Sequence, residues 1–400
     1  ESEHDIEGEI ERTEECWRQG KRAEAMWKAH SKVNELLGWN KAYEKVRKFY
    51  GSSFAILIAG RKTLGGFAKF MNEFWEDTEC LVGINPMSAD WSEFHDHLTA
   101  YSDTNMIAGD FSGFDTTMAA QITGAAAKII VSLYEEVGME EEDLQMVRGA
   151  LSDIIHPNVI FEGDVYRFAN GNPSGNLITV QLNSMCNSIM MRYVYYAMEP
   201  KIREPFAENV RLCTYGDDNA MSVKRHCKWF NHTACQAEFA KLAIGYTMAE
   251  KDAQSVPYIP ISEISFLKRR FEKHDTLGCI VAPVEEDSIL KKFHYVKKLG
   301  ECTLSAPEQF GAYTDGALRE AYLHGRNYYE TFQGKMLNIL ELNPELKEQV
   351  AIVPYDEMTM LLKEDYSKKA FHTPRDLFTE SLGVDLDEFT FGMNAFCGER

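Results

Sequence analysis

The chain lacks paired cysteine spacing, long apolar runs, an excess of positive charge and any internal repeat. Each absence narrows the field. Its nine cysteines, at positions 16, 80, 186, 213, 227, 235, 279, 302 and 397, are odd in number and scattered, so reduced thiols fit better than a disulfide scaffold. No apolar run approaches the ~20 residues that span a bilayer. The N-terminus, Glu1-Ser-Glu-His-Asp5, is acidic and carries no signal-peptide pattern; without an initiator Met it is expected to have been cut from something longer. A formal net charge of -20 argues against a protein that coats nucleic acid indiscriminately.

What is present is enough to build more than one core. The 400 residues are 44% hydrophobic and 12% aromatic, which suggests two or three domains or subdomains. Positive charge is concentrated: between Leu36 and Lys62 stand Lys41, Lys45, Arg47, Lys48, Arg61 and Lys62 against the single acid Glu44. An acidic body with one basic segment suits a channel that holds phosphates only where they are needed. By itself, such a cluster also reads as a solvated loop.

Local patterns give a coarse element map. Helical character is expected around Ile10 to Lys28, a strand or helix over 53–75, and a strand closed by a turn at Cys80-Leu-Val-Gly-Ile-Asn-Pro86. Asn105 to Asp110 reads as a short buried strand, with a helix opening at Ser112 and running to Tyr134. A helix is expected at 141–155, then a hairpin turning at Gly163, a mobile loop at Gly171-Asn-Pro-Ser-Gly175, and a helix from about Leu177 to Met198. Val210 to Val223 reads as strand, turn, strand with Gly216-Asp217-Asp218 at its tip. Helix 227–243, strand Ser265 to Phe271 and a mainly helical last hundred residues complete the map.

The chemistry resides in carboxylates. Asp217 and Asp218 sit together on a turn, and Asp110 ends a separate strand, so the three are candidates for binding Mg²⁺, with Mn²⁺ as an alternative. Asp217 is the expected ligand and Asp218 its support. Read alone, Gly-Asp-Asp is a common turn. Asp115 follows Asp110 by five residues. Ser112-x-x-Asp115 matches a helix capping box, whereas the functional reading is a carboxylate that accepts a ribose hydroxyl. Thr179, Asn183 and Asn187 recur at i, i+4 and i+8 on a helix that is apolar elsewhere, so this polar stripe must find partners, and a ribose and a template strand would be suitable ones. Lys45 and Arg47 suit phosphate contact. Lys251 could donate a proton to a leaving pyrophosphate, and Lys268, Arg269 and Arg270 could contact a primer backbone; each also reads as an ordinary surface cation. Cys227, His232 and Cys235 point roughly 0°, 140° and 80° around a helix axis, a poor convergence that disfavours zinc.

The ordered set resembles the RNA-dependent RNA polymerases of picorna-like positive-strand RNA viruses. Asp110-x4-Asp115 looks like motif A, Ser174-Gly175-x3-Thr179-x3-Asn183-Ser184 like motif B, and Tyr215-Gly-Asp-Asp218 like motif C. Lys251 stands where motif D places its lysine, and Phe266-Leu-Lys-Arg-Arg270 resembles motif E. Val82 to Trp91 resembles the stretch ahead of motif A in dicistrovirus-, iflavirus- and marnavirus-like members. The resemblance covers about residues 40–300. It implies an α+β right-hand fold: fingers at 1–67 with motif F at 41–49, palm at 68–156 and 173–275 with an antiparallel sheet backed by helices, a fingers insertion at 157–172, and a helical thumb at 276–400. It further implies that Ser174 and Gly175 contact template and ribose, and that Asn183 works with Asp115 in ribonucleotide selection.

Two features depart from the family pattern. The Lys-Asp-Glu run before motif F is degraded to Lys32-Val-Asn-Glu35, and the fingers section is short, without a motif G. The implied activity is template-directed RNA synthesis from ribonucleoside triphosphates. RNA template and primer, a small genome-linked protein primer and other viral replication proteins are the implied partners, in membrane-associated complexes of the host cytoplasm. A reverse transcriptase shares Tyr-x-Asp-Asp, but Asp115 and the Ser174 to Asn183 array suit a 2′-hydroxyl. A non-catalytic RNA-binding scaffold would not require Asp110, Asp217, Asn183 and Lys251. A Mg²⁺-dependent nuclease leaves motif B unexplained.

Overall fold

The computed structural model describes residues 5–31, 48–169, 171–199, 201–202, 204–250, 253–298 and 303–367. They fall into two compact units. One takes its described residues from Glu1–Gly83 and Gly109–Pro257, the other from Ile84–Ala108 and Tyr258–Phe371.

The first unit opens with helix α1 (Ile6–Arg18), whose N-terminus is capped by the Asp5 carboxylate. The helix expected to reach Lys28 stops here. Gly20 takes φ +66 and the chain turns into strand β1 (Met26–Ser31), which buries Trp27. Buried Asp153 holds this corner: it accepts from Trp17 Nε1 at 2.8 Å, Arg22 Nε at 3.0 Å and the backbone N–H of Ala23 at 2.8 Å. Strand β2 (Lys48–Gly51) follows, then helix α2 (Phe54–Glu73), which settles the strand-or-helix ambiguity of this apolar stretch. Cys80 makes only an isolated parallel bridge to Thr214, so the strand expected there is a single rung followed by turns.

Beyond strand β3 (Met106–Phe111) the expected long helix is broken. One turn, α3 (Phe114–Thr117), ends at the extended, buried Met118, and α4 (Ala120–Glu136) begins afterwards. Thr116 and Thr117 both bond back to the carbonyl of Gly113, a local alternative to continuing the helix. Helix α5 (Glu141–Ile155) and the hairpin β4 (Asn158–Phe161) and β5 (Asp164–Arg167) follow as expected. The hairpin joins the N-terminal strands in a four-stranded sheet of order β2-β1-β4-β5, with β1 parallel to β4.

Helix α6 (Thr179–Met198) is buried around most of its circumference. Strands β6 (Val210–Tyr215) and β7 (Asp218–Val223) pair antiparallel. Helix α7 (His232–Lys241) and strand β8 (Tyr246–Met248) complete the unit, and the central sheet has the order β6-β7-β3-β8. In the second unit, helices α8 (Ala306–Tyr322), α9 (Arg326–Leu342) and α10 (Tyr355–Ser367) pack around Leu318, Tyr322, Tyr329, Phe332 and Met358. The segment expected to be a strand at 265–271 is instead a tight turn. Phe266 bridges Arg269 across Leu267 and Lys268, both at positive φ.

One buried ion pair ties α6 to β6. Arg192 donates to both oxygens of Glu79, at 2.8 and 2.9 Å, and Ser188 Oγ donates to Glu79 at 2.6 Å. The carbonyl of Glu79 accepts from the N–H and hydroxyl of Thr214, at 2.7 and 2.8 Å. Removing one partner strands the other charge in the interior. We expect Arg192→Leu to cost about 3–5 kcal/mol and the double change Glu79→Leu/Arg192→Leu to cost less than either single change. Urea unfolding midpoints measure both; an additive double variant would contradict this account.

Candidate active site

The register of β6 against β7 pairs Tyr215 with Asp218, leaving Gly216 and Asp217 as a two-residue loop. Gly216 takes φ +66, the left-handed value that the first position of such a tight hairpin favours. Helix α6 holds this tip from below. Asn187 Nδ2 donates to the carbonyls of Gly216, Asp217 and Asp218 at 3.1, 2.9 and 3.4 Å, and Ser184 Oγ accepts from the N–H of Gly216 at 2.9 Å. Asn187 Oδ1 accepts from Asn219, whose own carbonyl oxygen accepts from the Tyr246 hydroxyl at 2.8 Å.

Asp110 lies on β3, which neighbours β7 in the sheet. Burial, then the negative charges of Asp217 and Asp110, push the Asp218 carboxyl up to about 7. All three are half-buried, Asp217 and Asp218 at the hairpin tip and Asp110 on the strand beside it, and the charges of Asp217 and Asp110 act on Asp218. Among the described residues, no group of three His, Cys, Asp or Glu side chains is arranged to hold a metal ion by itself. Two or three half-buried carboxylates on neighbouring strands still fit a divalent cation that takes few protein ligands and completes its shell with water and phosphate oxygens. The His232 ring stacks on Tyr246 and its Nδ1 lies 2.7 Å from Ser255 Oγ.

Asp115 sits on the one-turn helix α3, whose N-cap is Gly113 without a side-chain cap bond, so the capping-box reading fails. Instead Asp115 Oδ1 accepts from Asn183 Nδ2 at 2.7 Å. Thr179 reaches the preceding loop: its hydroxyl accepts from the N–H of Gly175 at 3.1 Å. The polar stripe of α6 thus finds its partners inside the protein, in the loop, Asp115 and the hairpin, because a helix buried on most sides offers its polar atoms no solvent.

Ser174 and Gly175 are fixed from the other side by β2. The N–H of Tyr50 donates to the Ser174 carbonyl at 2.8 Å, and a Cβ on Gly175 would lie 2.3 Å from the Tyr50 carbonyl. The Tyr50 phenol is pushed up by burial and then by the nearby Asp115 charge. Sequence reasoning missed Tyr50, Glu79 and Arg192. The available signal was a charge on a helix otherwise expected to be buried. Lys45, Arg47 and Lys251 lie outside the described residues. Of the basic trio, Lys268 and Arg270 are exposed, whereas Arg269 is committed to both oxygens of Glu320, at 2.9 and 2.7 Å, and to the carbonyl of Ala282. A side chain held by a bidentate ion pair is not available to a primer phosphate, which corrects the expectation for Arg269.

Residues 3–341 match the family model described as viral RNA-dependent RNA polymerase. The chain belongs to that family. It is 29% identical over 339 residues to a replicase polyprotein of Cricket paralysis virus, covering 80% of this chain and 19% of the polyprotein. Against the RNA1 polyprotein of Grapevine fanleaf virus the identity is 34% over 259 residues, 63% of this chain and 11% of that one. The chain thus spans about a fifth or less of the curated relatives it matches. Among solved structures, the Sicinivirus 3Dpol RNA dependent RNA polymerase superposes with a TM-score of 0.71 at 18% identity, covering 91% of this chain and 71% of that one. The picorna-like resemblance and the right-hand α+β fold are borne out. No helix among the described residues is long and apolar enough to cross a membrane.

Gly175 generates a direct test. Its φ of +116 is a value that L side chains rarely adopt. Gly175→Ala is expected to cost about 1–3 kcal/mol in backbone strain and to displace the loop from Tyr50. Lower urea midpoints together with faster proteolysis within 171–176 would report it; an unchanged digestion pattern would not fit.

Proposed function

We propose that this polymerase-family chain carries out template-directed RNA synthesis, transferring nucleotidyl groups from ribonucleoside triphosphates to an RNA 3′-hydroxyl in a viral replication cycle. The observation that carries the reading is the placing of Asp110 on the strand beside the Asp217–Asp218 hairpin, together with the hydrogen-bonded pair Asp115 and Asn183. Divalent cations bound there would supply charge neutralisation for the triphosphate and activation of the 3′-hydroxyl. Asp110 and Asp217 would hold them, with Asp218 in support.

The chain's own residues divide the remaining work. Asp115, oriented by Asn183, accepts the ribose 2′-hydroxyl and so favours ribonucleotides. Ser174 and Gly175 carry the loop against template and ribose. Lys45 and Arg47 bind the triphosphate, and Lys251 donates a proton to the departing pyrophosphate. Lys268 and Arg270 contact the primer phosphates. The sheet joining Met26–Ser31 and Lys48–Gly51 to Asn158–Arg167 supports assigning 1–67 and 157–172 to one fingers region, with palm at 68–156 and 173–275 and thumb at 276–400. A small genome-linked protein primer and other replication proteins are the proposed partners, in membrane-associated complexes of the host cytoplasm.

Primer extension on an RNA template with Mg²⁺ or Mn²⁺ tests the reading. Asp217→Asn should reduce incorporation by on the order of 10³-fold, since several kcal/mol of transition-state stabilisation are lost. Either cation should raise the melting temperature of the wild type and not that of Asp110→Asn/Asp217→Asn. Equal incorporation by wild type and Asp217→Asn would favour a non-catalytic scaffold, and equal use of deoxynucleotides a reverse transcriptase.

A further inference from the structure

The loop before α6 contains two buried asparagines, Asn172 and Asn176, that none of the roles above uses. Their amides form a chain with a fixed direction. At its far end Asn176 is read by the backbone. Its Oδ1 accepts from the N–H of Ile178 at 2.9 Å, and its Nδ2 donates to the carbonyl of Pro173 at 3.0 Å. Backbone groups have only one polarity, so the orientation of this amide is settled. Asn176 Nδ2 also donates to Asn172 Oδ1, which leaves the Nδ2 of Asn172 as donor on its other side. That nitrogen donates to the carbonyl of Thr179 at 3.2 Å and to Asn183 Oδ1 at 2.8 Å. With its oxygen so engaged, Asn183 presents Nδ2 to Asp115, at 2.7 Å.

We propose that Asn172 and Asn176 are positioning residues for nucleotide selection: a polarised amide relay that forces Asn183 to donate to Asp115. The proposal rests on the reading of Asp115 and Asn183 as the ribose-selecting pair. An asparagine amide is nearly symmetric in shape, and turning it over exchanges donor for acceptor. An Asn183 turned over would set its oxygen against the Asp115 carboxylate, and the two would repel. The relay removes that alternative by referring the choice, through two buried amides, to the backbone at Pro173 and Ile178. A carboxylate that meets a directed donor keeps its position. The same loop is pinned to β2 through Tyr50 and Ser174, so the relay also links the seating of the loop to the ribose check.

Asn172→Asp tests the relay with an almost unchanged shape. The carboxylate can only accept, so Asn183 would turn its Nδ2 toward it and away from Asp115. The measurement is the ratio of kcat/KM for ATP to that for dATP in primer extension, for wild type, Asn172→Asp, Asn183→Ala and the double variant. The ratio is expected to fall about tenfold in Asn172→Asp, the factor for one lost charge-assisted hydrogen bond, through a loss confined to ATP. The double variant should be no worse than Asn183→Ala alone, because Asn172 acts through Asn183. A ratio that falls in Asn183→Ala but not in Asn172→Asp overturns the relay and leaves the ribose reading standing. Equal losses for ATP and dATP in Asn172→Asp also overturn it, since they indicate a merely structural loop residue. An unchanged ratio in Asn183→Ala sinks the ribose reading and the relay with it. Should Asn172→Asp not fold, Asn172→Leu, which removes the donor without adding charge, carries the same expectation and the same refutations.

Discussion

A polar helix placed inside an apolar core is the constraint on which the rest of this structure depends. Helix α6 buries most of its surface, yet it carries two polar stripes at four-residue spacing, Thr179, Asn183 and Asn187, and Ser184, Ser188 and Arg192. Buried polar atoms without partners cost more than the partnered bond contributes, so every one of these side chains specifies what must lie against it. The first stripe specifies the loop at 175, Asp115 and the hairpin tip. The second specifies the same tip and Glu79. One rigid rod therefore indexes four segments, three of them far from it in the chain, and it does so with directional bonds that an apolar helix could not supply.

The hairpin tip shows the opposite use of polarity. There the protein places like charges on one hairpin and on the strand beside it. Asp217 and Asp218 stand at a tip that Asn187 and Ser184 hold from beneath, Asp110 stands on the neighbouring strand, and burial, then the charges of Asp217 and Asp110, raise the Asp218 carboxyl. A strong scaffold beneath a repulsive site is what a cation-dependent centre requires, because the scaffold keeps the carboxylates in place when the cation departs. The chain as a whole is strongly negative, and of the cations at 268–270, Lys268 and Arg270 are exposed while Arg269 is given over to Glu320.

Much of the fold was legible because it follows from local pattern. The β6-β7 hairpin, the hairpin at Gly163, the strand leading to Asp110 and the helices expected at 141–155 and from about 177 to 198 all carry strong periodicity or turn chemistry, and all are present, the strand ending one residue later at Phe111 and the last helix starting at Thr179. The errors fall where a local pattern met a competing local bond or a tertiary contact. The long helix after Ser112 breaks because Thr116 and Thr117 bond to Gly113 and Met118 is drawn into the core. Ser265 to Phe271 folds into a turn because Leu267 and Lys268 adopt left-handed conformations that their identities do not advertise. The apolar run at Cys80 contributes a single bridge, since its principal structural work is done by the backbone and side chain of Glu79.

The sequence by itself determined the kinds of groups at the site and their order along the chain: carboxylates at 110, 115, 217 and 218, amides at 183 and 187, and a glycine at 175. Residue type and spacing are local properties, and they were sufficient for family and fold. Only the tertiary structure decided whom each polar group meets and in which direction. Asp115 proved a partner of Asn183 and not a helix cap, Arg192 a partner of Glu79, and Asn172 the donor that orients Asn183. An amide carries a donor and an acceptor of nearly the same shape. Which one faces which neighbour is settled by the backbone packed around it, and no sequence pattern records that.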